Sequence, residues 1–231
     1  MFKLDRAFTA VLIAGLSMLA PACNRSEHDH HSNPKTNPTA PKPGLSTPSE
    51  AAHELHAALE QAKLSPPYVL VGHSFGGALV RVFANIYTQE VAGIVLVDPF
   101  QEEFVDWLKA HQPGKYEQFV SRGRQAYVSD WEGTLSELRG ASSFPDIPVT
   151  LLSATNRKPQ TGDAIEQGIG STEFAEGSEA ITSSQSTWLS KIPHGKLIKV
   201  AGSSHNIPDE RPEAVVQAVM EIIQQINNSK R

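Results

Sequence analysis

The sequence is short of several things at once. Of its 231 residues one is cysteine, Cys23. That excludes an intramolecular disulfide framework and a zinc site built on paired thiolates. Basic charge is also scarce. Twenty Lys and Arg stand against 25 Asp and Glu, for a formal net charge of −5. The sequence pI is near 6.0, whereas a nucleic-acid-binding domain is expected above about 9, so no nucleic-acid partner is expected. Before Gly72 the only glycines are Gly15 and Gly44. No apolar run reaches the roughly 20 residues of a membrane-spanning helix. What is present, at 39% hydrophobic and 19% charged residues, is the composition of a globular chain.

The first segment reads as an export signal. Lys3 and Arg6 precede an apolar stretch over 7–20, broken only by Thr9 and Ser17, and Ala20-Pro21-Ala22-Cys23 follows. A basic start, a short apolar run and small residues at a cleavage point are the signal pattern. The segment resembles a bacterial lipoprotein signal, whose cysteine is lipidated and becomes the new N-terminus. It departs from that pattern in having Ala20 where leucine is usual, with Leu19 one place earlier. The expectation is a signal peptide over 1–23. The chain would be periplasmic or membrane-anchored as a lipoprotein tethered through Cys23, or secreted. An ordinary cleaved signal or an uncleaved anchor compete with lipidation.

Residues 24–48 read as a disordered linker. Their only apolar members besides proline are Ala40 and Leu45, and Pro34, Pro38, Pro41, Pro43 and Pro48 oppose helix and sheet alike. Such a segment buries too little to offset its ordering entropy. Glu27-His28-Asp29-His30-His31 within it could hold zinc or copper weakly, but a solvated polar tail is the expected state.

Residues 49–231 alternate helical and strand patterns. A helix is expected over 49–63, capped by Ser49, with Ala52, Leu55, Ala58, Leu59 and Ala62 at helical spacing. His53 and His56 on it are expected at the surface. Apolar runs over 68–72, 92–97, 147–152 and 196–201 read as buried parallel strands. Helices are expected over 78–87 and 211–227, the last carrying the stripe Val215, Val216, Val219, Ile222, Ile223 and Ile226. Strands separated by helices imply right-handed crossovers and an α/β fold with a parallel sheet of about four recognisable strands.

The chemistry gathers at one strand end. Gly72-His73-Ser74-Phe75-Gly76-Gly77 fits G-x-S-x-G. Chance alone would match that pattern in roughly one chain in twelve at ordinary residue frequencies. Its placement carries the weight: a buried strand leads in and a helix leads out, the setting of a nucleophile elbow. Serine is a weak nucleophile and needs a base. His205 lies just after the last strand, in Ala201-Gly-Ser-Ser-His205. Loops at the carboxyl ends of parallel strands converge on one crevice, so Ser74 and His205 should meet. His73 should point away from that crevice, His111 lies in a polar helical stretch and His194 precedes a strand. The acid that orients the base is open between Asp98, at the end of the second strand, and Asp163, beyond the third. Asp209 and Glu166 are weaker candidates.

Taken together, Gly72-His-Ser-Phe-Gly-Gly77, Gly93-Ile-Val-Leu-Val-Asp-Pro99 and Ala201-Gly-Ser-Ser-His205 resemble the α/β-hydrolase superfamily. The resemblance implies a helical cap over about 100–145, between the second and third strands. It implies hydrolysis through an acyl-enzyme on Ser74, with His205 as base, no organic cofactor and no metal. The expected substrate is a small-molecule carboxylic ester, with an amide or peptide as the weaker alternative. The Phe75 N–H would supply one oxyanion donor. Phe100, Phe104, Trp107, Tyr116, Phe119, Tyr127 and Trp131 would shape an acyl pocket or form the core of the cap. In that family the acid usually follows the third of these strands and sometimes the second, which leaves Asp98 against Asp163 open.

One departure from the family stands out. Complete members carry strands before the elbow strand, and one of their loops gives the second oxyanion donor. Nothing over 24–48 can be such a strand, so the hydrolase domain over 49–231 looks truncated. Losing one donor typically costs about 10²–10³ in rate. The strand from Tyr68 to Gly72 would become an open edge, favouring a homodimer through it or poor stability. Two functions therefore compete: an exported serine hydrolase acting on a carboxylic ester, and a non-catalytic or damaged hydrolase-like remnant lacking the oxyanion segment.

Overall fold

The computed structural model describes residues 9–13, 47–141, 144–157 and 171–229. Five strands form one parallel sheet in the order β1-β2-β3-β4-β5. They are β1 (Thr9–Ile13), β2 (Tyr68–His73), β3 (Val91–Val97), β4 (Val149–Ala154) and β5 (Gly195–Val200). The four expected strands are all present within two residues of the boundaries read from sequence. The fifth was not expected as a strand. Thr9–Ile13 lies in the apolar run read as a signal, and it pairs in parallel with β2, from Thr9 opposite Tyr68 to Ile13 opposite Gly72. In the chain as described, the edge from Tyr68 to Gly72 is therefore paired. The open edge expected there, on which the homodimer expectation rested, is filled by the chain's own backbone.

Helices surround the sheet: α1 (Pro48–Gln61), α2 (Phe75–Ile86), α3 (Glu102–His111), α4 (Pro113–Ala126), α5 (Trp131–Gly140), α6 (Ser171–Leu189), α7 (Ile207–Glu210) and α8 (Pro212–Asn228). Strand side chains alternate between two cores, as the period of two requires. Leu70, Ile94, Leu96 and Leu151 face the core shared with α1, α2, α6 and the cap. Val69, Val71, Val95, Val97 and Leu152 face the core built with Ala218, Ile222 and Ile226 of α8. Ser49 does not cap α1. Its N–H and hydroxyl both donate to Glu137 of α5, at 2.8 and 2.7 Å, and Thr47 occupies the cap position. Among the described residues no helix is long and apolar enough to cross a membrane.

The cap is α3, α4 and α5, and its aromatic residues pack on one another. Phe100 lies against Phe119 at 6.1 Å and against Trp131 at 5.7 Å between ring centroids, and Trp131 is fully buried. These rings form the cap's own core. Phe75, at the start of α2, joins that core through Tyr127 at 4.8 Å and Phe100 at 5.6 Å. Burial pushes the Tyr127 phenol above its ordinary pKa. A buried ion pair fixes the cap's other side. Arg81 of α2 donates to both carboxylate oxygens of Glu102 at 2.9 Å and to Gln101 Oε1 at 2.8 Å, beneath the Trp188 ring. Stripping one partner from such a pair leaves a buried charge, at a cost of about 3–5 kcal/mol.

The turn into α2 is tight enough to dictate residue types. A Cβ on Gly72 would lie 2.5 Å from the Gly76 carbonyl oxygen, and one on Gly77 2.6 Å from Pro99 Cβ. The first contact is backbone and cannot swing aside. Gly72→Ala is expected to distort the strand-to-helix turn and lower stability by about 1–3 kcal/mol, the range of overpacked cores, measured by urea unfolding. A variant as stable as the parent would show that the turn relaxes freely. For β1, removal of residues 1–22 uncovers the edge of β2. Sedimentation velocity is expected to find the full chain monomeric and the shortened one self-associated or destabilised. A shortened chain that is a stable monomer would overturn this.

Candidate active site

Three strand ends bring the candidate residues to one edge of the sheet. Ser74 follows β2 with φ 54° and ψ −124°, a backbone conformation costly for a residue with a side chain. It is held there from both sides. The Ser74 N–H donates to the Val97 carbonyl at 3.1 Å, and its carbonyl accepts from Gly77 N–H and Phe100 N–H, both at 3.0 Å. Ser74 is the cap residue of α2, so its side chain stands at a helix N-terminus, where the first N–H groups lack intrahelical acceptors. Phe75 is the first of these residues, in the place expected for an oxyanion donor.

Asp98 follows β3, also at positive φ, 39°, and is 2% exposed. Its Oδ2 accepts from His205 Nδ1–H at 2.7 Å. An ionised carboxylate only accepts, so this bond puts the proton on Nδ1 and leaves Nε2 of a neutral His205 as the basic nitrogen. Among the described residues, Asp98 is thus the acid joined to His205. Asp163 and Glu166 lie outside the described residues. Asp209 belongs to the short helix α7 after His205.

Among the described residues three more groups hold Asp98, and none was picked out from sequence. The Ala154 N–H donates to Oδ1 at 3.2 Å and the Gln185 amide, from α6, at 3.0 Å. Arg157, just after β4, donates from Nε to Oδ2 at 3.1 Å and from Nη2 to Oδ1. Burial by itself would raise the Asp98 pKa. The His205 hydrogen bond and the Arg157 guanidinium outweigh it and hold the carboxyl well below the usual carboxylate range. Arg157 and Gln185 carry no local motif, and α6 was not anticipated as a helix.

The His205 loop is pinned separately. Glu210 accepts from Ser204 N–H at 2.7 Å and Ser204 hydroxyl at 2.6 Å, and those bonds lower its pKa. The turn after β5 uses Gly202 at φ 72°, and its N–H donates to Thr155 Oγ1 at 3.0 Å. His73 differs from expectation. It does not point away from the site, since its Nε2 lies 2.9 Å from the His205 carbonyl oxygen and its ring 4.7 Å from the His205 ring. The Ser74 hydroxyl makes no hydrogen bond to His205 among the described contacts. The structure therefore joins acid to base and sets the serine at the same edge, with the serine–base contact unmade.

Other histidines sit elsewhere. His56 stacks on Tyr87 at 4.0 Å and pairs with Glu90 at 3.1 Å, and His53 lies 2.8 Å from the Tyr87 hydroxyl. Among the described residues no group of three or more His, Cys, Asp or Glu is arranged to hold a metal ion. The cluster over 27–31 lies outside the described residues, as does Cys23.

Comparison with known proteins agrees with this architecture. An uncharacterized protein of Bacillus subtilis, YqjL, is 24% identical over 183 residues, which is 76% of this chain and 64% of that protein. The chain thus spans somewhat less than two thirds of that relative's length. Among solved structures, a carboxylesterase study of the thaumarchaeon Nitrososphaera gargenis matches with a TM-score of 0.50 at 14% identity, covering 81% of this chain and 75% of that one. A thermophilic esterase of Thermogutta terrifontis matches with a TM-score of 0.47 at 18% identity, covering 80% and 74%. The sequence profile of the alpha/beta hydrolase fold family matches residues 28–156. Because that match takes in the elbow, β3, the cap and β4, more than half of the sequence, the chain belongs to the alpha/beta hydrolase fold family.

Proposed function

We propose that the protein is a serine hydrolase that cleaves a small-molecule carboxylic ester through an acyl-enzyme on Ser74. The observation that carries this reading is the 2.7 Å bond from His205 Nδ1–H to Asp98, at the edge where the strained Ser74 backbone heads α2. Ser74 Oγ attacks the ester carbonyl carbon while His205 Nε2 takes its proton. The tetrahedral oxyanion is met by the Phe75 N–H. Collapse expels the alcohol, which takes the proton back from Nε2. Water then attacks the acyl-enzyme by the same route, with His205 again as base, and releases the acid. Asp98 holds the tautomer and stabilises the imidazolium.

The open contact between Ser74 and His205 favours a second reading, a hydrolase-like remnant without activity. Serine–base hydrogen bonds are often long in unliganded enzymes and tighten when substrate binds, which keeps the catalytic reading ahead. We also propose export, with the chain tethered through a lipid on Cys23. The sequence signal alone supports that part.

Labelling by a fluorophosphonate probe decides between the two functions. The folded full chain is expected to label and Ser74→Ala is expected to lose labelling completely. Absence of labelling in the folded parent would sink the enzyme reading. For the tether, metabolic incorporation of a labelled fatty acid is expected in the parent and absent in Cys23→Ser. Equal incorporation, or none in either, would end that proposal.

A further inference from the structure

Asp98 bonds both His205 and Arg157, and only His205 takes part in the proposed reaction. Arg157 approaches it as a fork, Nε on Oδ2 and Nη2 on Oδ1. A guanidinium in this setting is always charged. Its own position is fixed from several sides. Nη1 donates to Thr182 Oγ1 at 2.7 Å and to the Ser178 carbonyl at 3.2 Å. Nη2 also reaches Ser153 Oγ at 3.2 Å and Gln185 Oε1 at 3.3 Å. The Arg157 side chain is 6% exposed and the Asp98 side chain 1%. Surface screening therefore does little to weaken this pair.

A lone buried carboxylate would favour the imidazolium beside it strongly, and the base would stay protonated well above its ordinary range. A carboxylate already neutralised by a fixed cation favours it much less. We propose that Arg157 is a positioning residue that sets the pH range in which His205 is available as a base. It does so by holding the two carboxylate oxygens in place and offsetting part of their charge. In acylation the proton then moves from Ser74 Oγ to His205 Nε2 and no further. The Nδ1 proton stays on the imidazole, because an Asp98 clamped by Arg157 is a poor proton acceptor. This inference rests on the proposed triad, but its readout does not need Ser74 to react.

Other charged or titratable groups face the pair from each neighbouring element. From the end of β2 comes His73, against the His205 ring. From α7 comes Glu210, bonded to Ser203 and Ser204, with Arg211 acting on Glu210. From α6 come Gln185 and Thr182, both neutral. Arg157 is the one permanent cation in direct contact with Asp98 among the described residues.

The test is an NMR titration of the His205 ring C–H resonances in the full chain, assigned by their loss in His205→Gln. It is run beside the pH profile of fluorophosphonate labelling. In Arg157→Met, and in the more polar Arg157→Gln, the His205 titration is expected to move up by about one pH unit or more. The acid limb of labelling should move with it. Arg157→Lys, which keeps the charge, is expected to restore most of the parent midpoint. A folded neutral variant that titrates with the parent would overturn the proposal. So would Arg157→Lys displaced as far as Arg157→Met, or failure of both neutral variants to fold. A shifted titration in a protein that never labels would support the role of Arg157 and defeat the hydrolase reading instead. Labelling with an unshifted titration would do the reverse.

Discussion

The buried carboxylate of Asp98 is the point on which the rest of the site depends. Among the described residues, three segments distant in sequence end on its two oxygens: the end of β4 with the Ala154 N–H and the Arg157 side chain that follows, the Gln185 amide of α6, and the His205 ring. A carboxylate this deeply buried would be expelled or protonated if left alone. The convergence of donors keeps it inside and ionised. In return Asp98 fixes where the β4 loop, α6 and the His205 loop lie relative to β3. The site and the fold at this edge are therefore one construction, and substitution of Asp98 would disturb both.

A second constraint links this edge to the cap. The elbow allows no side chain at Gly72 or Gly77, and Pro99 packs into the space that Gly77 leaves. Pro99 follows Asp98 directly, so the turn carrying the serine and the strand end carrying the acid are in van der Waals contact. Phe75 extends the link by stacking with Tyr127. The cap thus packs directly on the residue whose N–H is the proposed oxyanion donor. Arg81 and Glu102 tie α2 to α3 from below, so a cap displacement would strain the elbow and break a buried ion pair.

The legible part of this molecule was what periodicity and punctuation encode. Four apolar runs became β2 to β5, and the glycine-flanked serine became the elbow, because buried parallel strands and tight turns leave strong local signals. His205 and Asp98 could be proposed because strand ends in a parallel sheet share one edge. Helix α6 was missed because Ser and Thr crowd its sequence and leave few apolar residues to mark a period. Arg157 and Gln185 went unnoticed because their meaning lies entirely in a partner about 60 and 90 positions away, and no spacing rule connects them. His73 was misplaced by treating the residue before the serine as strictly opposite in facing. Its Nε2 nonetheless lies 2.9 Å from the His205 carbonyl oxygen, in the loop after β5.

The hardest residues to read were 9–13, because the same chemistry suits two destinations. Thr-Ala-Val-Leu-Ile is apolar enough for a signal core and rich enough in β-branched residues for a buried strand, and a short apolar run carries no period that separates the two. The parallel register with β2 favours the strand while the segment remains attached, since each ladder bond satisfies an edge that would otherwise stay open. The export reading removes or inserts the segment before the sheet closes. Both can hold only in sequence. A chain captured early for export would leave β2 unpaired until another strand met it, and a chain that folds first would pair Thr9–Ile13 into its own sheet. Which occurs is then a matter of rate, the speed of sheet closure against the speed of capture, and not of the stability of either end state.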